Sequence, residues 1–163
     1  MHTSRRWRLA VAAALLGFVS TVGSQTMVGD EEFRSVFKAA PTLIETAREC
    51  RLFELYLALE SAQKNRGLMF VREMRNDQAM LFVYPPGSRI SMWMKNTVIP
   101  LDIVFLDEDG VVINVAANTT PLSLVSVRAA RPGAFALELN AGQAAALGLA
   151  TGKQAIRPDL LSF

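Results

Sequence analysis

Histidine and cysteine are almost missing from this chain: one of each occurs in 163 residues. The histidine, His2, lies ahead of an apolar run at the start, so the remainder carries no imidazole. That excludes histidine-based triads, histidine general bases and histidine-ligated zinc together. Cys50 has no second cysteine to pair with, which excludes an internal disulfide. It also stands too far downstream to be the lipidated cysteine of a lipoprotein leader, and reads as structural. No phosphate-cradling glycine loop, nucleophile elbow or CxxC pair is present. The acidic cluster Asp107-Glu108-Asp109-Gly110 lacks the spaced oxygens and distal glutamate of an EF-hand, and reads as a hairpin turn. No cofactor and no metal are expected.

What is present begins with an export signal. Arg5, Arg6 and Arg8 form a positive stretch, and Leu9–Val19 is an apolar run too short to span a bilayer comfortably. Val22-Gly23-Ser24 supplies small residues for a signal peptidase, so residues 1–24 read as a signal peptide cleaved near Ser24. Ser4-Arg5-Arg6 with Leu9 partly matches a twin-arginine signal, although Arg8 stands where an apolar residue is usual. The expected location is periplasmic or secreted, without stable membrane insertion after cleavage. Residues 1–24 hold three arginines and no acid, so removing them leaves 14 basic against 15 acidic residues. The near-neutral body has no global field to recruit nucleic acid.

Residues 25–41 read as a lead-in, with Phe33, Val36 and Phe37 at helical spacing and Pro41 as its end. Residues 42–163 read as a single β-rich domain, expected to be a monomer. Over Arg51–Leu59, Phe53, Leu55, Leu57 and Leu59 fall on one face, and Glu54, Tyr56 and Ala58 on the other. Ser61 opens a short helix closed by Gly67. Further strands are read at Thr42–Ala47, Met80–Tyr84 (stopped by Pro85-Pro86-Gly87), Ile90–Met94, Leu101–Leu106, Val111–Ala116, Leu124–Val127, Ala134–Leu139 and Lys153–Ile156, with a second short helix at Ala141–Leu147. The expected fold class is α+β: mostly antiparallel β, a small barrel-like sheet with two short helices.

Several segments then occur in a telling order: Arg66-Gly67-Leu68-Met69-Phe70, Met80-Leu81-Phe82-Val83, Trp93-Met94-Lys95-Asn96-Thr97, Ile99-Pro100-Leu101-Asp102-Ile103, Asp109-Gly110 and Leu137-Glu138-Leu139-Asn140-Ala141-Gly142. Together they resemble domain of unknown function family 192, small bacterial and archaeal domains of which many are exported, over about residues 43–157. The resemblance implies a compact β-rich domain and brings no established activity. Ala79 stands where the family usually has glycine, and Met92 where an aromatic residue is common.

The candidate site centres on Ser91–Asp109. Trp93 offers a stacking face, and Lys95 and Asn96 offer directed donors. The competing reading has Trp93 plugging the barrel and Asn96 bonding backbone in a turn. Asp102 sits inside an apolar run and needs partners such as Arg66, Lys95 or Asn96. The residues taken as ligand-binding are therefore Arg66, Trp93, Lys95, Asn96 and Asp102. Glu138 is similarly embedded between leucines. Facing one cleft, Asp102 and Glu138 would make the acid–base pair of a hydrolase acting on envelope carbohydrate; pointing outward, they would be ordinary strand residues. Met69, Met80, Met92 and Met94 could offer thioethers to Cu(I), but read first as core filler. The leading expectation is non-enzymatic binding of a small polar ligand or an envelope protein; the other alternative is a structural docking module of an envelope assembly.

Overall fold

The computed structural model describes residues 31–45 and 49–161. The expected signal peptide therefore lies outside the described residues. A short helix, α1 (Glu31–Val36), leads into strands β1 (Lys38–Glu45) and β2 (Cys50–Ala58), helix α2 (Ser61–Arg66) and the long strand β3 (Gln78–Ser88). The chain continues through β4 (Ser91–Met92), β5 (Leu101–Leu106), β6 (Val112–Ala116), β7 (Val127–Arg128) and β8 (Gly133–Asn140) to helix α3 (Gln143–Ala146) and a 3₁₀ turn at Pro158–Leu160.

Six strands form one sheet in the order β1-β2-β3-β8-β5-β6, and β4 pairs with β7 in a separate ribbon. All pairings are antiparallel except β2 with β3, which α2 connects. The class is α+β, as expected, but the sheet is open rather than closed into a barrel. Among the described residues three short α-helices are present rather than two.

Each face of the sheet carries its own core, which is why β5 and β8 read as nearly unbroken apolar runs. The first face presents Tyr56, Met80, Phe82, Ile103 and Phe105, covered by Phe33 and Phe37 of the α1 segment and by Leu68, Val71, Met92 and Met94. The second presents Leu55, Leu57, Leu81, Val104, Leu137 and Leu139, covered by Ala144, Leu147, Leu149 and Ile156. The period-two split of β2 is thus realised: Phe53, Leu55 and Leu57 go to one core, Tyr56 and Ala58 to the other.

Both proline stops fail, each for a physical reason. Pro41 lies within β1, an edge strand, where a missing N–H need not cost a ladder bond. Pro85 and Pro86 lie where the β3–β8 register shifts between Val83 and Ser88, an irregularity that relieves those residues of pairing. The expected last strand is not one: Lys153–Ile156 makes only an isolated bridge, Gln154 to Val111. This tail nevertheless crosses between the two edges of the sheet. Ala155 N–H donates to Gly110 O at 3.0 Å, and its carbonyl accepts from Glu45 N–H at 2.9 Å. Gly110 has φ +78°, and a Cβ there would run into the Ile156 carbonyl.

Candidate functional site

Helix α2 supplies the first wall of a recess on the first face. Gln63 anchors the helix start: its Oε1 accepts from the N–H groups of Leu59 and Glu60, both at 2.9 Å. Gly67, at φ +45°, ends the helix, and a Cβ at this position would come within 3.1 Å of the Phe82 ring. A side chain here would be strained at this positive φ and would press on the Phe82 ring, so glycine suits the close approach of the helix end to β3. Lys64 and Arg66 are thereby held at the edge of a cavity of about 430 Å³.

The opposite wall is the segment that carries Trp93. Met92 and Met94 are buried, whereas Trp93 between them is 48% exposed. Trp93 does not plug a barrel; it stands at the rim. Lys95 Nζ lies 5.2 Å from the centroid of its ring, and Lys64 Nζ lies 5.0 Å from that of Tyr84. The Tyr84 hydroxyl donates to Met92 Sδ at 3.3 Å, and Asn96 Nδ2 donates to Met69 Sδ at 3.7 Å. Lys64, Arg66 and Lys95 enter none of the ion pairs among the described residues.

Glu138, on β8, also lines the cavity and is only 4% exposed. Among the described residues its Oε2 has no hydrogen-bond partner, and neither does the buried Arg66 Nε. Burial pushes the Glu138 carboxyl up to about 8, so it is mostly protonated at neutral pH. Burial and the nearby Glu138 carboxylate raise the Tyr84 phenol to about 12. The recess thus has a flat aromatic rim, three cations around it, and a neutral acid at its floor.

Five residues were expected at the site, and the cavity gathers three: Arg66, Trp93 and Lys95. Asn96 does not line it. It sits at φ +56° in the turn, where its carbonyl accepts from Phe70 N–H at 2.9 Å. Asp102 lies on the other face of the sheet: its Oδ1 accepts from Asn118 N–H at 2.8 Å and its Oδ2 from Ala144 N–H at 2.9 Å, in the first turn of α3. Asp102 pairs in register with Leu139 while Ile103 pairs with Glu138, so the two acids point to opposite faces. They share no cleft, and the expected acid–base dyad does not form. Lys64 and Tyr84 were missed; a lysine two residues before Arg66 on a short helix was the one signal available for the former.

Segments next to cavity-lining residues such as Met69, Thr97 and Ser126 carry exposed apolar side chains. Phe70, Val98, Leu122, Leu124 and Val125 are all exposed. Backbone bonds gather them at one turn: Phe70 N–H to Asn96 O, Leu122 N–H to Thr97 O, and Met94 N–H to Ser123 O. No helix among the described residues is long and apolar enough to cross a membrane.

Comparison with known proteins follows the same span. The family model described as Uncharacterized ACR, DUF192, matches residues 42–156. A crystal structure of a protein of unknown function from Novosphingobium aromaticivorans DSM 12444 is 38% identical, covering 72% of this chain and 84% of its own, with a TM-score of 0.68. A second, from Sinorhizobium meliloti 1021 and described as a "putative transcription regulator", is 33% identical, covering 76% of this chain and 97% of its own, with a TM-score of 0.71. No curated protein matches the chain.

Proposed function

The chain belongs to the DUF192 family, whose function is uncharacterised, and from the cavity itself we propose that it is a non-enzymatic recognition domain for a small polar ligand bearing an anionic group. One arrangement carries the reading: Lys64, Arg66 and Lys95 line a recess and enter no ion pair among the described residues, and the one acid lining it, Glu138, is buried, which pushes its carboxyl up to about 8. Such a site attracts an oxyanion and leaves a hydrogen-bonding group at its floor for the rest of the ligand. The described name of the Sinorhizobium relative does not transfer. Residues 25–163 hold 14 basic and 15 acidic residues and so carry no net positive charge, which favours a small anionic ligand over a duplex.

The proposal extends to location: residues 1–24 direct the chain out of the cytoplasm, to act in the periplasm or outside the cell. A fusion of residues 1–24 to a phosphatase active only after export would be active if this holds, and inactive if not.

The site is tested by thermal shift against organic acids, sugars, peptidoglycan fragments and metal ions. A ligand is expected to raise the melting temperature of the wild type and not that of Lys95→Ala or Trp93→Ala, with the circular dichroism spectrum of each variant checked to match that of the wild type. A wild type indifferent to every anion in the panel refutes the reading. The exposed apolar side chains favour a second reading, a docking module for an envelope partner. Under it, Leu124→Asp would abolish partner binding while Lys95→Ala would not.

A further inference from the structure

We infer that the ligand of this cavity is an acidic sugar: a single pyranose ring bearing a carboxylate, with its apolar C–H face on Trp93, its carboxylate among Lys64, Arg66 and Lys95, and a ring hydroxyl on Glu138. The inference rests on the anion-site reading above and narrows it to one chemical class.

Among the described residues, three buried side-chain polar atoms lack a partner: Arg66 Nε, Glu138 Oε2 and Gln143 Oε1. The residues of two of them, Arg66 and Glu138, line this one cavity. Buried polar groups are nearly always satisfied, so an incomplete pair at a recess marks what the occupant must supply. Arg66 Nε–H is an obligate donor and requires an acceptor, which a carboxylate provides. Glu138 makes a different demand. A carboxyl that carries its proton can present either oxygen as donor or acceptor, and a hydroxyl, which donates and accepts, satisfies Oε2 in both arrangements. An ammonium could only donate, and would add a fourth cation to a recess already lined by Lys64, Arg66 and Lys95.

Trp93 decides the body of the ligand. Its indole is half exposed, and Lys95 Nζ lies over one face of the ring, 5.2 Å from the centroid, so an apolar surface and a cation are offered together and the sugar would take the ring area that the ammonium leaves open. A pyranose is amphipathic in the matching sense: one face of C–H bonds, an equator of hydroxyls. A neutral sugar would leave the three cations unanswered, and a hydrocarbon acid would leave Glu138 unanswered. A cavity of about 430 Å³ stands toward the small end of ligand sites, which suits one ring rather than a polymer segment.

The test is calorimetric titration of the full chain at pH 7 with D-glucuronate, D-glucose and cyclohexanecarboxylate. The last shares the six-membered ring and charge of glucuronate but has no hydroxyl. Glucuronate is expected to bind at least tenfold more tightly than either control. Lys95→Ala should weaken both carboxylates alike. Glu138→Leu should erase the preference for glucuronate over cyclohexanecarboxylate, and Glu138→Gln, whose amide both donates and accepts, should retain it. Equal affinities of the wild type for the two carboxylates overturn the sugar and leave the anion site standing. A Glu138→Leu protein that keeps the preference overturns the role given to Glu138. Failure of both carboxylates to bind the wild type overturns the anion site as well.

Discussion

Asp102 and Glu138 are carboxylates on adjacent strands, one register step apart, and they live in opposite circumstances. On the second face Asp102 accepts two backbone N–H bonds and ties the Asn118 loop and the start of α3 to β5. On the first face Glu138 has a buried oxygen with no partner among the described residues. Burial is almost the same for both, 1% and 4% exposure. What differs is whether the surrounding backbone answers the carboxyl oxygens. A carboxylate answered by amides is a structural staple; one left unanswered in a cavity is available to something else. The two faces of the sheet divide the labour in the same way, one closed by α3 and the tail, the other left with a recess.

The contrast can be broken at several points. The largest effect is expected from pH. Between about 4.5, the ordinary glutamate value, and about 8, its value when buried, Glu138 holds a proton that the unfolded chain has released. Stability should therefore fall as pH rises through that window, by up to roughly 4 kcal/mol, and level off above it. Urea unfolding from pH 5 to 9 measures the slope, and Glu138→Leu should flatten it. Next comes Asp102→Ala. It strands two amide donors and should cost about 3 kcal/mol in urea melts at pH 7. Should this variant cost less than about 1 kcal/mol, the staple is not one.

A smaller loss, about 2 kcal/mol, is expected for Gly110→Ala, where a side chain at positive φ meets the Ile156 carbonyl. Thermal melts would show it. Smallest is Lys95→Ala, whose ammonium has only the Trp93 ring for company. Its stability should change by less than about 0.5 kcal/mol, because it belongs to the recess and not to the frame. A larger loss in denaturant melts would make it architectural.

Much of this was legible in the chain, for reasons that can be stated. Period-two alternation put Trp93 opposite Met92 and Met94, and split β2 between two cores, because a strand held between packed layers must obey it. The Arg66, Trp93 and Lys95 grouping was accessible because those residues lie in or beside strongly patterned segments. The facing of Asp102 against Glu138 was not: it is fixed by the register between β5 and β8, and spacing along one strand says nothing of the next. Pro41 and Pro85-Pro86 misled because a proline's effect depends on whether its strand is at an edge or out of register, which local sequence does not encode. Tyr84 left no signal, since only the return of β3 beneath α2 brings it to the recess.

The bonds that Ala155 makes to Gly110 and Glu45 bear on how the molecule behaves in a crowd. An open sheet offers two borders on which another strand can template itself, and a tail laid from one to the other works as a clasp against such self-association. Clipping the chain ahead of Lys153 would thus be felt first as turbidity rather than as a change at the recess.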